Sequence, residues 1–388
     1  MNAISFHRSG RFLFSLVAAF VFVLCQPPSR ASAQTTCPDA VPDGRDSYTA
    51  LQTCLNAGGT VILTNGDPGY FTSQTLQITV PGTTLKSNLG YAKISPYINN
   101  FWGRILEVHA DSVNLSFLWF DGRKSLRDQS PCPNSPGDGV NLRVQANNFT
   151  MDTVISENAL CGSGMEVEGG NLNITNSWFR NNGIGEWPAW GYGYADGLTV
   201  WGCYGGSISN NVLEENTDVD LILGGGNCQV SNNQVRHTSR KGIAGLGVNY
   251  FGGGNGNHAG MSYTGNTVSS QQDGLSFGIM VGDHPWQSAT VRVTNAGNVG
   301  VQGGANSSTG AVANLAIDGI GGGSVQANTF SGARGIRGYP NCNRSADYTA
   351  AHFGGAIYQT GSVCRYYDVG ACMNPPCPCV DPPLPCPQ

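Results

Sequence analysis

Residues 196–235 read DGLTVWGCYGGSISNNVLEENTDVDLILGGGNCQVSNNQV, and this stretch decides the fold. It says one thing twice. A short apolar strand opens on a small or acidic residue, first as Asp196-Gly197-Leu198 and then as Val219-Asp220-Leu221. A second strand follows, built round an amide pair: Ile208-Ser-Asn-Asn211-Val212, then Val230-Ser-Asn-Asn233. Working outward, the first half recurs at Asp138-Gly139-Val140, Ser163-Gly164-Met165, Lys241-Gly242-Ile243 and Asp273-Gly274-Leu275. The second recurs at Ile174-Thr-Asn-Ser177-Trp178, Tyr263-Thr-Gly-Asn266 and Val325-Gln-Ala-Asn328. The period is about 22–25 residues, and a fixed period of that length marks one structural unit stacked on itself.

Within each unit apolar and polar residues alternate, as half-buried strands require. Leu198 and Val200 are expected inside, with Gly197, Thr199 and Trp201 outside. Met165 and Val167 are expected inside, with Glu166 and Glu168 outside. Asp220 and Ile222 are expected to face out, between Leu221 and Leu223. The same parity sends Asp218 and Lys241 inward unless they sit in a turn. Short strands, Gly/Asn turns and one rung per period predict an all-β parallel β-helix. Asn211, Asn233, Asn266 and Asn328 share one column, where stacked amides bond up and down. The segment from Ser47 to Ala57 has the apolar spacing of one short helix, which Gly58-Gly59 stops.

The chain ends divide the rest. His7, Arg8 and Arg11 precede an apolar run from Phe12 to Leu24, and Ala31-Ser32-Ala33 is a small-residue cleavage site. This predicts a secretion signal over 1–33, with the mature chain starting near Gln34. The run is too short to span a membrane. Losing Arg8, Arg11 and Arg30 takes the net charge from −5 to −8. So acidic a body disfavours nucleic acid and anionic membranes as partners. The helical segment and first coil occupy 34–95, within a β-helix domain over 34–340. A Cys/Pro-rich tail covers 341–388. Without Cys25 the cysteines number twelve, an even count that suits disulfides in an exported chain. Cys203 and Cys228 follow equivalent strands of adjacent units and form one expected bridge.

Two periods are long. Gly164 to Gly197 spans 33 residues and carries Trp187, Trp190, Tyr192 and Tyr194. Gly242 to Gly274 spans 32 and carries Tyr250, Phe251 and His258. A third aromatic excursion, Asp283-His284-Pro285-Trp286, follows. With Trp201, these aromatics are expected to line a groove floored by the strands between them. Aromatic faces suit the apolar faces of sugar rings. Beside them stands a ladder of charge. Asp196 lies on one rung, Asp218 and Asp220 on the next, Arg240 and Lys241 on the third. At ~4.8 Å per rung the set falls within ~10 Å.

The segment Asp43-Gly-Arg-Asp-Ser-Tyr-Thr-Ala-Leu-Gln-Thr-Cys-Leu-Asn-Ala-Gly-Gly-Thr-Val-Ile-Leu-Thr-Asn-Gly-Asp-Pro-Gly-Tyr70 resembles the start of the pectate-lyase-like superfamily. There a short helix caps a right-handed parallel β-helix, and a Gly-Gly-Thr-Val strand begins the first coil. Together with the later repeats the resemblance covers roughly residues 40–340. It implies the fold and leaves the activity open, because this scaffold hosts lyases, hydrolases, epimerases and non-catalytic binding proteins. Asn216-Thr217-Asp218 resembles one element of the polygalacturonase-type hydrolases. The next coil reads Ser239-Arg240-Lys241-Gly242 where that family has paired aspartates, and no Gly-His-Gly follows, which counts against hydrolysis by paired carboxylates. The Asp-Pro-His signature of uronan epimerases is absent; Tyr192-Gly-Tyr-Ala-Asp196 keeps only its outline.

The acid-acid-base ladder also resembles β-helix lyases that bind calcium through aspartates and use a lysine or arginine base. Elimination from a uronate needs a proton removed beside a carboxylate, and that proton is weakly acidic until the carboxylate charge is neutralised. Oxygen ligands suit calcium, and the bound ion dominates the local field. The resemblance therefore implies a secreted, monomeric, calcium-dependent lyase acting on an acidic polysaccharide. Asp196, Asp218 and Asp220 hold Ca2+ in this reading, Lys241 is the base, and Arg240 steadies the substrate carboxylate. Alternatives on the same scaffold are a glycan-binding protein without catalysis, a hydrolase or an epimerase.

Overall fold

The computed structural model describes residues 34–37, 40–97, 103–128, 132, 139–185, 193–248, 258, 260–271 and 274–281. Beyond these it describes the strand segments 301–304, 307–309, 313–317, 323–326, 329–331 and 360–361. The expected signal and most of the Cys/Pro-rich tail lie outside the described residues.

Parallel strands stack coil on coil. One column is a nine-stranded parallel sheet that begins at Leu76–Ile78 and runs through Met165–Gly170, Leu198–Tyr204, Val219–Leu223 and Gly242–Val248 to Ala313–Ile317. The other two columns are joined in one 21-stranded assembly. A single coil shows the pattern: Leu198–Tyr204 in the nine-stranded sheet, then Ser207–Ser209, then Val212–Glu214, before Val219–Leu223 returns to the first column.

The amide phrases make the corner between the second and third columns. Phe117, Thr153, Asn176, Asn210, Asn232 and Gly265 follow paired positions of successive strands, and each has φ between 51° and 68°. That left-handed conformation is where asparagine and glycine carry the smallest strain, and they occupy four of these six corners, while Phe117 and Thr153 adopt it at a cost. The next residue turns inward. Asn211 N and Nδ2 donate to Asn233 Oδ1, and Asn233 N and Nδ2 donate to Asn266 Oδ1. Each Nδ2 also reaches a backbone carbonyl of the preceding strand. The expected amide column is thus present, with Ser177 at its head donating its N–H to Asn211 Oδ1. Asn328 lies outside the described residues.

The core is the aliphatic interior of this tube. Leu198, Val200, Met165 and Val167 are all fully buried, as alternation predicts. The helix Tyr48–Ala57 buries Leu51, Cys54 and Leu55. Gln52 exchanges two hydrogen bonds with the backbone of Gln77, satisfying part of the first strand's open edge as a further strand would. Three disulfides tie Cys37 to Cys54, Cys132 to Cys161 and Cys203 to Cys228. The last is the bridge expected from spacing; the remaining cysteines lie outside the described residues. Among the described residues no helix is long and apolar enough to cross a membrane.

On the outside of the third column the side chains stack by charge. Glu157, Arg180, Glu214 and Arg236 occupy paired positions on four successive rungs. Arg180 pairs with Glu157 at 2.5 Å and Arg236 with Glu214 at 3.2 Å.

Candidate functional site

The site grows from the entry to three consecutive strands of the nine-stranded sheet. Asp196 precedes Leu198–Tyr204, and Asp218 precedes Val219–Leu223, the strand that contains Asp220. Lys241 precedes Gly242–Val248. Asp196 is held by its neighbours: Thr199 Oγ1 donates to Oδ2 at 2.5 Å, and Val219 N donates to Oδ1 at 3.0 Å. Ser163 lies 2.7 Å from Thr199 Oγ1. Since Thr199 has one proton and gives it to Asp196, Ser163 is the donor in that second bond.

Asp218 is different. Its backbone is fixed by bonds from Asp218 N to Ala195 O and from Ile243 N to Asp218 O. Its side-chain Oδ1 is buried and has no hydrogen-bond partner among the described residues. Burial pushes the Asp218 carboxyl well above the usual range, and the nearby charge of Asp196 adds to it. Burial likewise pushes Asp196 up to about 6, against the bonds from Thr199 and Val219, with Glu166 and Asp220 reinforcing the rise. Two carboxyl groups on adjacent rungs therefore keep protons that ordinary aspartates would lose. Such a pair can donate a proton and accept one in the same turnover.

Parity places Asp220 on the outer face, and here the structure corrects the expectation. Asp220 and His237 are both 0% exposed. Asn216 Nδ2 donates to Asp220 Oδ1 at 2.7 Å, and His237 Nε2 lies 2.8 Å from Oδ2. The other ring nitrogen, Nδ1, faces the carbonyl of Arg240 at 2.9 Å. A carbonyl only accepts, so Nδ1 carries a proton and the Asp220–His237 contact carries a second one. Burial works against the charged ring, but the charge and hydrogen bond of Asp220 outweigh it and raise the His237 pKa. Alternation fails here because Val219–Leu223 is buried along its whole length, and an acid in such a strand persists only when paired. His237 was the residue that reading the sequence missed. Its signal was its place two residues after the inward Val235, at the end of the coil that Asp220 opens.

The donor set of a calcium site is incomplete among the described residues. Both oxygens of Asp220 are already bonded to Asn216 and His237, and no group of three His, Cys, Asp or Glu side chains comes together to hold a metal. Asp196 and Asp218 alone fall short of the six to eight oxygens that calcium takes.

Arg240 and Lys241 diverge. Arg240 Nη1 donates to Asn181 Oδ1, Asn182 O and Glu215 O, and Nη2 donates to Gly183 O at 2.7 Å. Lys124 Nζ reaches Asn181 O, Asn181 Oδ1 and Gly183 O from the opposite side in sequence. Two cations thus clamp the base of the first long insertion. That base is closed by bonds from Ile184 N and Gly185 N to Gly193 O. Gly183 and Gly193 both have left-handed φ there, at 79° and 78°, and a Cβ on Gly183 would lie 2.1 Å from Thr217 Oγ1. Lys241, by contrast, is exposed in the turn, and makes no hydrogen bond or ion pair among the described residues.

Trp201 is 39% exposed. The register between Met165–Gly170 and Leu198–Tyr204 shifts after Val167, so Glu168 pairs with Gly202 and Trp201 is the extra residue of a bulge. Bulges of this kind redirect a side chain beside a site. Arg143 stands 5.9 Å over its ring and pairs with Glu166 at 2.6 Å. Tyr194 is half-buried next to the insertion's base. Trp187, Trp190, Tyr192, Tyr250 and Trp286 lie outside the described residues.

The geometry can now be compared with known proteins. No known family's sequence profile matches the chain, and no curated protein matches it in sequence. Solved structures do. ORF18 of Geobacillus virus E2 is similar over 76% of this chain at 11% identity, with a TM-score of 0.56, and this chain spans 57% of that one. DFA-IIIase from Arthrobacter chlorophenolicus A6 is similar over 76% of both chains at 12% identity, with a TM-score of 0.52. An alginate lyase from Paenibacillus sp. str. FPU-7 shares 17% identity over 74% of this chain and 96% of its own, at a TM-score of 0.42. The chain is a right-handed parallel β-helix. Likenesses at such low identity speak to this β-helix scaffold alone, so its chemistry has to be argued from the site.

Proposed function

We propose that this β-helix cleaves a polysaccharide laid over the strand entries of the nine-stranded sheet, using Asp196 and Asp218 as its acid–base pair. One observation carries the reading: two carboxyls on adjacent rungs both hold protons above the ordinary range, and one of them has a buried oxygen with no partner among the described residues. Asp218, whose carboxyl burial holds well above the ordinary aspartate range, donates to the departing glycosidic oxygen. Asp196, largely ionised above about pH 6, either takes a proton from the water that attacks the anomeric carbon, or attacks that carbon itself to form a glycosyl-enzyme that water then hydrolyses. Arg240 and Lys124 act as positioning residues by fixing Asn181 to Gly183, the base of the insertion. Trp201 offers a ring to the sugar.

The second reading is β-elimination from a uronate, and the exposure of Lys241 favours it. Lys241 would take the proton, and a neutral Asp218 would donate a hydrogen bond to the sugar carboxylate. Arg240, the carboxylate partner expected from sequence, is already directed at four backbone and side-chain oxygens.

The test is incubation with neutral and uronate polysaccharides, read both as new reducing ends and as ultraviolet absorbance of an unsaturated product. Reducing ends without absorbance, lost in Asp218→Asn and Asp196→Asn and kept in Lys241→Ala, is the expected result. Absorbance that disappears in Lys241→Ala would move the assignment to elimination. Activity lost to a chelator and restored by calcium would overturn the metal-free reading of the aspartate pair. Full activity in both aspartate variants, or no cleavage of any polymer, would overturn the proposal and leave the rival of a binding protein without catalysis.

A further inference from the structure

A second surface lies on the outer face of the third column, on other strands than the aspartate pair. Trp119, Ile155, Trp178 and Val212 occupy paired positions on four successive rungs and point outward. Trp178 is 37% exposed. The strip therefore runs across the strands, along the direction in which the coils stack. Its two indoles are two rungs apart, ~10 Å at ~4.8 Å per rung.

The strip is braced. Glu157 accepts from Trp119 Nε1 through one oxygen at 2.9 Å and from Arg180 Nε through the other at 2.5 Å. Arg180 in turn stands 5.0 Å from the centre of the Trp178 ring, and Lys93 stands 4.3 Å from that of Trp119. Both rings are thus held in fixed orientations by one carboxylate and two cations. An ordinary exposed tryptophan has no such scaffold, and rings fixed in advance lose little freedom on binding.

We propose that this strip binds an uncharged polysaccharide chain running along the coil axis, independently of any cleavage at Asp196 and Asp218. Three features select that occupant. The rings repeat along a line, which suits a polymer of repeating units whose apolar faces stack on aromatics. The flanking charges cancel in pairs, since Lys93 bonds Asp121, Arg180 bonds Glu157 and Arg236 bonds Glu214. They therefore present hydrogen-bonding groups for hydroxyls and no net field for an anionic polymer. The strip is one side chain wide, far narrower than the roughly 800 Å² per partner that a stable protein interface buries, so a second copy is a poor fit.

The experiment is retention of the full chain on insoluble cellulose, xylan and curdlan, with pectate and alginate gels alongside, at low and high salt. Wild type is expected to bind at least one neutral polymer with little dependence on salt. Trp178→Ala is expected to weaken that binding about ten-fold, and Trp178→Phe to restore most of it. Asp218→Asn is expected to bind as wild type, which separates this surface from the reaction site. Unchanged thermal melting of Trp178→Ala shows that the variant is folded. Equal retention of wild type and Trp178→Ala, or salt-sensitive binding confined to pectate and alginate, would overturn the proposal.

Discussion

At the scale of the residue, the aspartate pair has a consequence for stability. Asp196 titrates at about 6 in the folded chain against 3.8 as an ordinary aspartate. The folded protein therefore holds this proton more tightly than the unfolded one. Stability is highest below about pH 4 with respect to this group and falls as pH rises through 6. The span is worth roughly 3 kcal/mol at 1.36 kcal/mol per pH unit. Asp196→Asn removes the titrating proton but keeps an acceptor for Val219 N. We expect Asp196→Asn and Asp218→Asn to melt higher than wild type at pH 8, with the gap closing toward pH 5. Variants that melt no higher at pH 8 would show that the pair is not strained by its charge. His237 works in the same direction. Its raised pKa means that the paired form stabilises the chain fully below 6.5 and is lost as pH rises through the higher folded value. His237→Ala leaves Asp220 as an uncompensated buried charge and is expected to cost about 3–5 kcal/mol in chemical denaturation. A loss below ~1 kcal/mol would mean that the His237 contact is not what keeps Asp220 in the core.

At the scale of the element, adjacent asparagines do opposite jobs. Asn232 is exposed at a corner with φ of 56°, while Asn233 is buried and links three strands. Asn233→Ala orphans the Asn211 amide and the Ile208 carbonyl, so a loss of about 3 kcal/mol is expected. Asn232→Gly keeps the corner conformation and is expected to stay within ~0.5 kcal/mol of wild type. Similar losses for the two would mean that the column is not the stabilising feature. This contrast also shows what the sequence could reveal. The strand phrases, the amide column and the Cys203–Cys228 bridge were legible because each is periodic, and a period survives without coordinates. Asp220 was read outward because alternation assumes one wet face, and that strand has none. Arg240 was read toward substrate because nothing local announces that its partners, Asn181 to Gly183, lie nearly 60 positions earlier. Such contacts come from stacking coils of unequal length, and only the folded chain counts the coils.

At the scale of the whole molecule, a stack of coils is stabilised mainly by contacts between neighbours, so damage to one rung stays near that rung. The Cys203–Cys228 bridge joins two positions 25 residues apart, and the loop it closes contains Asp218 and Asp220. A cross-link over a loop of that length stabilises by roughly 3 kcal/mol, mainly by restricting the unfolded chain. Here part of that restriction falls on the rung that carries the site. Gly206 and Gly225 pack directly on Cys203, so the bridge also sets the spacing of the two turns beside it. The double variant Cys203→Ala/Cys228→Ala should therefore lose stability locally before it loses it globally. In hydrogen exchange, amides of Val219–Leu223 and Gln229–Ser231 should open faster, while those of Thr60–Leu63 and Thr84–Ser87 near the helix cap stay protected. The glycan cleavage proposed for Asp196 and Asp218 should fall at a lower denaturant concentration than the loss of overall strand signal. Uniform loss of protection along all coils would show that the stack unfolds as one unit, and that the bridge acts on the whole tube and not on the rung of the site.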